Sequence, residues 1–231
     1  DALPIWMCNL TDEAGASAQS KLNSCLKPAR TPRCSNGRNA MTTLTSREVH
    51  LKSRPVGTPT ADNFTLATVE VPAPGVGEVQ VKNLYMTVDP YMRGRMNAGK
   101  NYAQPQPLGE AMIGGTVGEV VESRNAKYAV GDKVVGMGGW QQYSVVDASQ
   151  PGALRKVDTT HVPLSHYLGA VGMPGVTAWY GLVKIINPKA GETVTVSAAS
   201  GAVGSAYGAL AKARGCRVVG IAGGKDKCDY V

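Results

Sequence analysis

The stretch TVTVSAASGAVGS, Thr193 to Ser205, constrains this chain more than any other. It begins as a strand with no charge after Glu192, breaks into small residues and glycines, and gives way to a helical pattern. Within GAVGSAYGALAKARG, Val203, Tyr207, Leu210 and Ala211 share one helical face, and Gly215 stands where a helix stop is expected. CRVVGIA follows as a second short apolar run. Strand, helix and strand in so short a span make a βαβ unit, which implies a parallel sheet.

The loop itself reads Ala198-x-x-Gly201-x-x-Gly204, directly after the strand and opening the helix. Backbone N–H groups and the helix dipole favour an anion there. A small first residue permits the tight turn, the middle glycine admits a pyrophosphate, and the third lets the helix pack on the strand. The pattern predicts dinucleotide binding; a bare structural turn or another nucleotide ligand are the alternatives.

An NAD site places an acidic residue at the end of the second strand, about 20 positions on, to receive the ribose 2′-hydroxyl. Here IAGGKDK puts Gly223 and Gly224 in that slot, with Lys225 and Lys227 just after. No carboxylate stands where it would repel a 2′-phosphate, so NADP(H) is favoured. Asp226 lies beyond the usual position, between the lysines. The alternative is that both lysines are solvated residues at a helix start.

Upstream the rhythm differs. From Met41 to His161 the chain offers short alternating runs in EVQVKNLYM, GTVGEVVES, GDKVVGMG and WQQYSVV. Pro72, Pro74, Gly75, Gly77 and the pair Gly131-Asp132 punctuate them, which predicts a compact all-β barrel or sandwich over residues 41–161. Trp140 and Tyr143 are expected to fill it. After Pro163, LSHYLGAVGMPGVTAWYGLVKI reads as two helical pieces broken at Met173-Pro174-Gly175.

The first forty residues hold three of the five cysteines and show neither period. DALPI looks like a translated adapter oligonucleotide, so residues 1–40 are expected to be a non-native or disordered leader, with the natural start at Met41. Only Cys216 and Cys228 then remain, which excludes a disulfide framework and fits a reducing, cytoplasmic setting. The net charge of +7 comes from scattered residues with no basic run among aromatics, which argues against nucleic acid as a partner. No stretch approaches the roughly 18 apolar residues of a membrane span.

SRPVGTPTADNF, LYMTVDPYMRGRM, VGMPGVTAWYGL and the whole βαβ stretch KAGETVTVSAASGAVGSAYGALAKARGCRVVGIAGG together resemble the zinc-independent, NADP-dependent medium-chain dehydrogenase/reductases. Within them the likeness is to the alkenal/enone reductase branch, which includes prostaglandin reductases and plant double-bond reductases. The resemblance implies a GroES-like β-barrel domain followed by a Rossmann domain (here residues 162–231, its first βαβ unit, truncated). It also implies hydride transfer from NADPH to the C=C bond of an α,β-unsaturated ketone or aldehyde. A quinone reductase on the same scaffold, or a catalytically silent cofactor-binding protein, are the other readings.

Carried over residue by residue, Gly201, Ala202, Val203 and Gly204 would cradle the pyrophosphate. Lys227 would meet the 2′-phosphate, with Gly223 leaving room beside it. Met173 and Thr177 match the segment bordering the nicotinamide, and Tyr91 is the tentative substrate-facing side chain. Packing is the alternative role for Met173 and Tyr91. Arg93 and Arg95 are candidates for ion pairs with Asp89 or Glu110 and carry no assigned role. Zinc-dependent relatives have a ligand cysteine where Met86 stands, and residues 51–160 contain neither His nor Cys, so no metal site is expected. His50, His161 and His166 show no spacing that suggests metal or triad. Family members run well past the equivalent of Val231, so this chain is expected to be a fragment that binds cofactor poorly and does not turn over. The full-length protein is expected to form a homodimer.

Overall fold

The structure, a computed structural model, describes residues 6–9, 44–99 and 103–231. Strand β1 (Trp6–Asn9) is the one described element among residues 1–40, so the expected leader otherwise lies outside the described residues. Two compact units divide the rest: residues 44–86 with Tyr91–Val157, and Thr87–Pro90 with Asp158–Val231.

The first unit is built from strands. They are β2 (Thr45–Leu51), β3 (Phe64–Glu70), β4 (Glu78–Val88), β5 (Thr116–Ser123), β6 (Lys133–Gly136), β7 (Tyr143–Asp147) and β8 (Leu154–Lys156). One sheet runs β1-β4-β5-β6-β8, with β7 also on β4, and β2 pairs antiparallel with β3. Four of these strands fall on the alternating runs of the sequence. Alternation places Val79, Val81, Val120 and Val134 on one face, where with Ala148 and Leu154 they form a closed apolar cluster. The Tyr128 hydroxyl caps that cluster by donating to the Leu154 carbonyl at 2.6 Å.

β2 and β3 were not signalled by apolar alternation. The buried positions of β2 are Leu51 and a serine, Ser46, whose backbone neighbourhood is polar. The Ser46 hydroxyl accepts from the Tyr143 N–H at 3.1 Å, which lets a polar side chain stand at zero exposure. A second cluster, Leu51, Met92, Met96 and Met112, lies beneath the short helix α1 (Pro90–Arg95), with Phe64, Tyr91 and Trp140 packed against it.

The second unit opens with a 3₁₀ turn, Leu164–Leu168, and helix α2 (Met173–Trp179), which continues as a π-helical segment, Tyr180–Ile186. Here the sequence reading needs correction. Met173-Pro174-Gly175 does not break a helix; it starts one, because proline in the first turn sacrifices only an N–H that has no intrahelical acceptor. Strand β9 (Thr193–Ser197), helix α3 (Ala202–Ala213) and strand β10 (Arg217–Ile221) follow as a βαβ unit. β10 lies parallel to β9 in register Val218↔Val194 and Gly220↔Val196. Leu182, Val194, Val196, Ala199, Ala211 and Cys216 form its core, and Tyr207, Leu210 and Val218 pack on it. A final short helix, α4 (Lys225–Tyr230), ends the unit. No helix among the described residues is long and apolar enough to cross a membrane.

Two positions make the fold testable. Gly118 in β5 faces β4 so closely that a Cβ there would collide with the Lys82 carbonyl oxygen and lie 2.8 Å from Val81 Cγ1. Gly118→Ala is expected to destabilise the chain by about 2–3 kcal/mol in urea titration, since the central strand pair must separate. Ala198 is left-handed at φ +49, a conformation that costs an L-residue roughly 1–2 kcal/mol. Ala198→Gly should therefore leave the melting temperature unchanged or raise it, whereas the same change in an ordinary loop lowers it.

Candidate functional site

The loop between β9 and α3 is shaped by a close backbone approach. Gly204 is buried, and a Cβ on it would collide with the Ala198 carbonyl oxygen and lie 2.9 Å from the Ala199 Cα. The glycine thus lets the first turn of α3 rest on the end of β9. Ala199 donates to the Ile221 carbonyl at 3.0 Å, fastening the loop to the end of β10. Gly201 is the N-cap, extended at φ −77 and ψ 167, and no side chain caps the helix. Its carbonyl accepts from Ser205 at 2.8 Å as the first helical bond. Ala202, Val203 and Gly204 occupy the first turn, whose N–H groups have no intrahelical acceptor. A twelve-residue helix with an uncapped, glycine-lined start is suited to an anion.

Under the loop, Tyr207 packs against the βαβ core with its hydroxyl sealed from solvent and without a hydrogen-bond partner. Burial pushes the phenol pKa up, and the Cys216 thiol pushes it in the same direction. Tyr207 therefore stays protonated and serves the packing of α3.

At the far end of β10, Gly223 has open space: a Cβ there would meet nothing within 4 Å. Lys225 is held by Asp229 at 2.6 Å, one turn along α4. Lys227 is exposed and makes no ion pair among the described residues. Of the two lysines, Lys225 thus has a carboxylate partner and Lys227, the one singled out by resemblance, has none among the described residues.

Met173 is exposed at the first turn of α2, and Thr177 is exposed one turn later. The Thr177 hydroxyl donates back to the Met173 carbonyl at 2.8 Å, so its lone pairs face outward. Gly175 packs against the Ala170 backbone with no room for a side chain, which fixes the start of this helix.

Tyr91 lies in the first unit, half-buried on α1 against the methionine cluster. The Arg95 guanidinium stands over its ring, 5.8 Å from the centroid. Neither arginine of MRGRM pairs with a carboxylate among the described residues, contrary to the ion pairs considered from sequence. Arg93 instead donates to the Gly57 carbonyl at 2.8 Å, the Pro55 carbonyl at 3.2 Å and Asn97 Oδ1 at 2.7 Å. Trp140 packs 5.9 Å from Phe64, ring centre to ring centre. His50 Nε2 donates to Glu48 Oε2 at 2.7 Å within β2. No group of three or more His, Cys, Asp or Glu among the described residues could hold a metal.

A family described as the N-terminal domain of oxidoreductase matches residues 47–154. The putative NADP-dependent oxidoreductase YfmJ of Bacillus subtilis is 50% identical over 189 residues, which cover 82% of this chain and 55% of that protein. The NADPH-dependent curcumin reductase of Escherichia coli is 47% identical over 180 residues, 78% of this chain and 51% of that protein. Among solved structures, CurA of Vibrio vulnificus in complex with NADPH superposes with a TM-score of 0.73 at 46% identity, over 80% of this chain and 54% of that one. The chain spans about half the length of the curated relatives it matches. The two units are accordingly a GroES-like β domain and the first βαβ part of a Rossmann domain. By its N-terminal domain and by these relatives, the chain is similar to the zinc-independent medium-chain dehydrogenase/reductases.

Proposed function

We propose that the protein is an NADPH-dependent reductase of the C=C bond of α,β-unsaturated ketones and aldehydes. The observation that carries this reading is the pairing of an uncapped helix start at Gly201 with a carboxylate-free slot at Gly223 and an unpaired Lys227. The two ends of one βαβ unit thus offer donors to a pyrophosphate and a cation to a 2′-phosphate.

Gly201, Ala202, Val203 and Gly204 would hold the pyrophosphate through backbone N–H groups. Lys227 would neutralise the 2′-phosphate, with Gly223 leaving it room. Met173 and Thr177 would border the nicotinamide, Met173 by an apolar contact and Thr177 through the outward lone pairs of its hydroxyl. When bound, NADPH supplies the hydride that reaches the β-carbon of the enone. Tyr91 would present an aromatic face to the apolar part of the substrate and a phenol to its acceptor oxygen. The chain's contribution is positioning, with donors placed where negative charge develops on the carbonyl oxygen. A cytoplasmic setting and a homodimer of the complete protein belong to the same proposal.

The test is a fluorescence titration of the chain with NADPH and with NADH. NADPH should bind more tightly, and Lys227→Ala should weaken NADPH about tenfold or more while leaving NADH unchanged, since one charge-assisted contact is removed. Equal affinities that are indifferent to Lys227 would refute the assignment. Turnover is checked by joining the chain to the C-terminal half of the Bacillus subtilis relative and comparing alkenals with quinones; a preference for quinones would favour the quinone-reductase reading.

A further inference from the structure

Strand β10 carries a glycine within its ladder, Gly220, paired with Val196 of β9. Glycine weakens a strand and often marks a place where another group must come close. Here two groups do. A Cβ on Gly220 would lie 2.9 Å from the Ala199 Cβ and would collide with Val231 Cγ1. Ala199 belongs to the loop that leads into α3. Val231 follows α4, and its N–H donates to the carbonyl of Lys227 at 3.3 Å. The Val231 contact is the softer of the two, because Cγ1 is the end of a side chain that can turn aside. The Ala199 Cβ is fixed to the backbone and cannot.

Ala199 is buried, and it is gripped from the helix side as well. Its Cα lies 2.9 Å from where a Cβ of Gly204 would stand, and its N–H donates to the Ile221 carbonyl at 3.0 Å. The residue before it, Ala198, is left-handed at φ +49. Strain of that kind persists only where the surroundings over-determine the backbone, and it gathers at sites that hold ligands. Ala199 is such an over-determined point: α3 closes on it across Gly204, and β10 closes on it across Gly220. A methyl group at position 220 would lift Ala199 from the strand. The N–H groups of Ala202 and Val203, three and four residues on, would move with it.

We propose that Gly220 is a positioning residue for the dinucleotide: lacking a side chain, it lets Ala199 seat on β10 and so fixes where the donors at the start of α3 meet the pyrophosphate. This rests on the reading of that helix start as the pyrophosphate site. Gly220 acts through Ala199 and not on the cofactor itself. NADH and NADPH share the pyrophosphate and differ at the 2′-phosphate, so a displaced loop weakens both, whereas a change at Lys227 touches one.

The experiment is calorimetric titration of the chain and its variants with NADPH and with NADH. Gly220→Ala should weaken both by a similar factor, roughly tenfold, as hydrogen bonds to the pyrophosphate are lost. Adding Ala199→Gly removes the Cβ that the new methyl group meets, so the double variant should recover most of the affinity; adding Val231→Ala should not. A purely structural glycine would instead give a lower thermal transition with affinities unchanged, or a loss that Ala199→Gly does not relieve, and either result overturns the proposal. So does a loss confined to NADPH and relieved by Val231→Ala, which would place the effect on α4. If Gly220→Ala fails to fold, the double variant is compared with Ala199→Gly alone. Equal affinities support the role of Gly220, and a double variant that binds more weakly, or that also fails to fold, overturns it. If the unaltered chain binds neither dinucleotide, the pyrophosphate reading fails and the role of Gly220 falls with it. Binding that is indifferent to Gly220→Ala removes only the role of Gly220.

Discussion

The approach of Gly204 to the Ala198 carbonyl leaves no space for a side chain, and the geometry of the βαβ unit depends on that contact. It seats the first turn of α3 on the end of β9. Because the helix starts there, the N–H groups of Ala202, Val203 and Gly204 are brought together at one end of the parallel strands. Ala198 takes a left-handed conformation to complete the turn, and the Ala199 hydrogen bond to Ile221 ties the loop to the neighbouring strand. A larger residue at position 204 would push helix from strand and scatter the donors. The packing of helix on strand and the gathering of free N–H donors are in this respect one constraint.

The β unit solves a different problem, that of holding a short helix over a soft core. Methionines at positions 92, 96 and 112 fill the space below α1, and methionine specifies little by itself. Definition comes from polar fastening instead. Arg54 and Arg93 donate to carbonyls on both sides of the helix, binding the segment around Pro55–Gly57 and the segment around Gln106 to it. Five hydrogen bonds to backbone carbonyls, two from Arg54 and three from Arg93 with its Nε also on Gly57, fasten the helix that carries Tyr91.

Much of this was legible in the sequence where periodicity and burial coincide. Val79, Val81, Val120 and Val134 alternate because one face of each strand is closed, and the βαβ unit could be read from its apolar runs and glycines. β2 could not, since its buried Ser46 looks like a surface residue until Tyr143 is seen to satisfy it. The start of α2 was misread because proline and glycine together resemble a break. Only the tight contact with Ala170 shows that Gly175 sits where the helix docks. Resemblance singled out Lys227, but the pairing of Lys225 was not legible, because it depends on a carboxylate one helical turn away.

The fastening of β2 has a bearing on how the chain reaches its native state. The Arg47 N–H donates to Gln142 Oε1, 95 positions away, and the Ser46 hydroxyl accepts from the Tyr143 N–H at a separation of 97. At synthesis rates of about 5–20 residues per second, the strand emerges several seconds before the residues that will cover it. During that interval its backbone groups have β3, the segment around Gly109–Met112 and water as partners. Closing so long a loop carries an entropic cost that the contacts of β2 must offset before the strand is held.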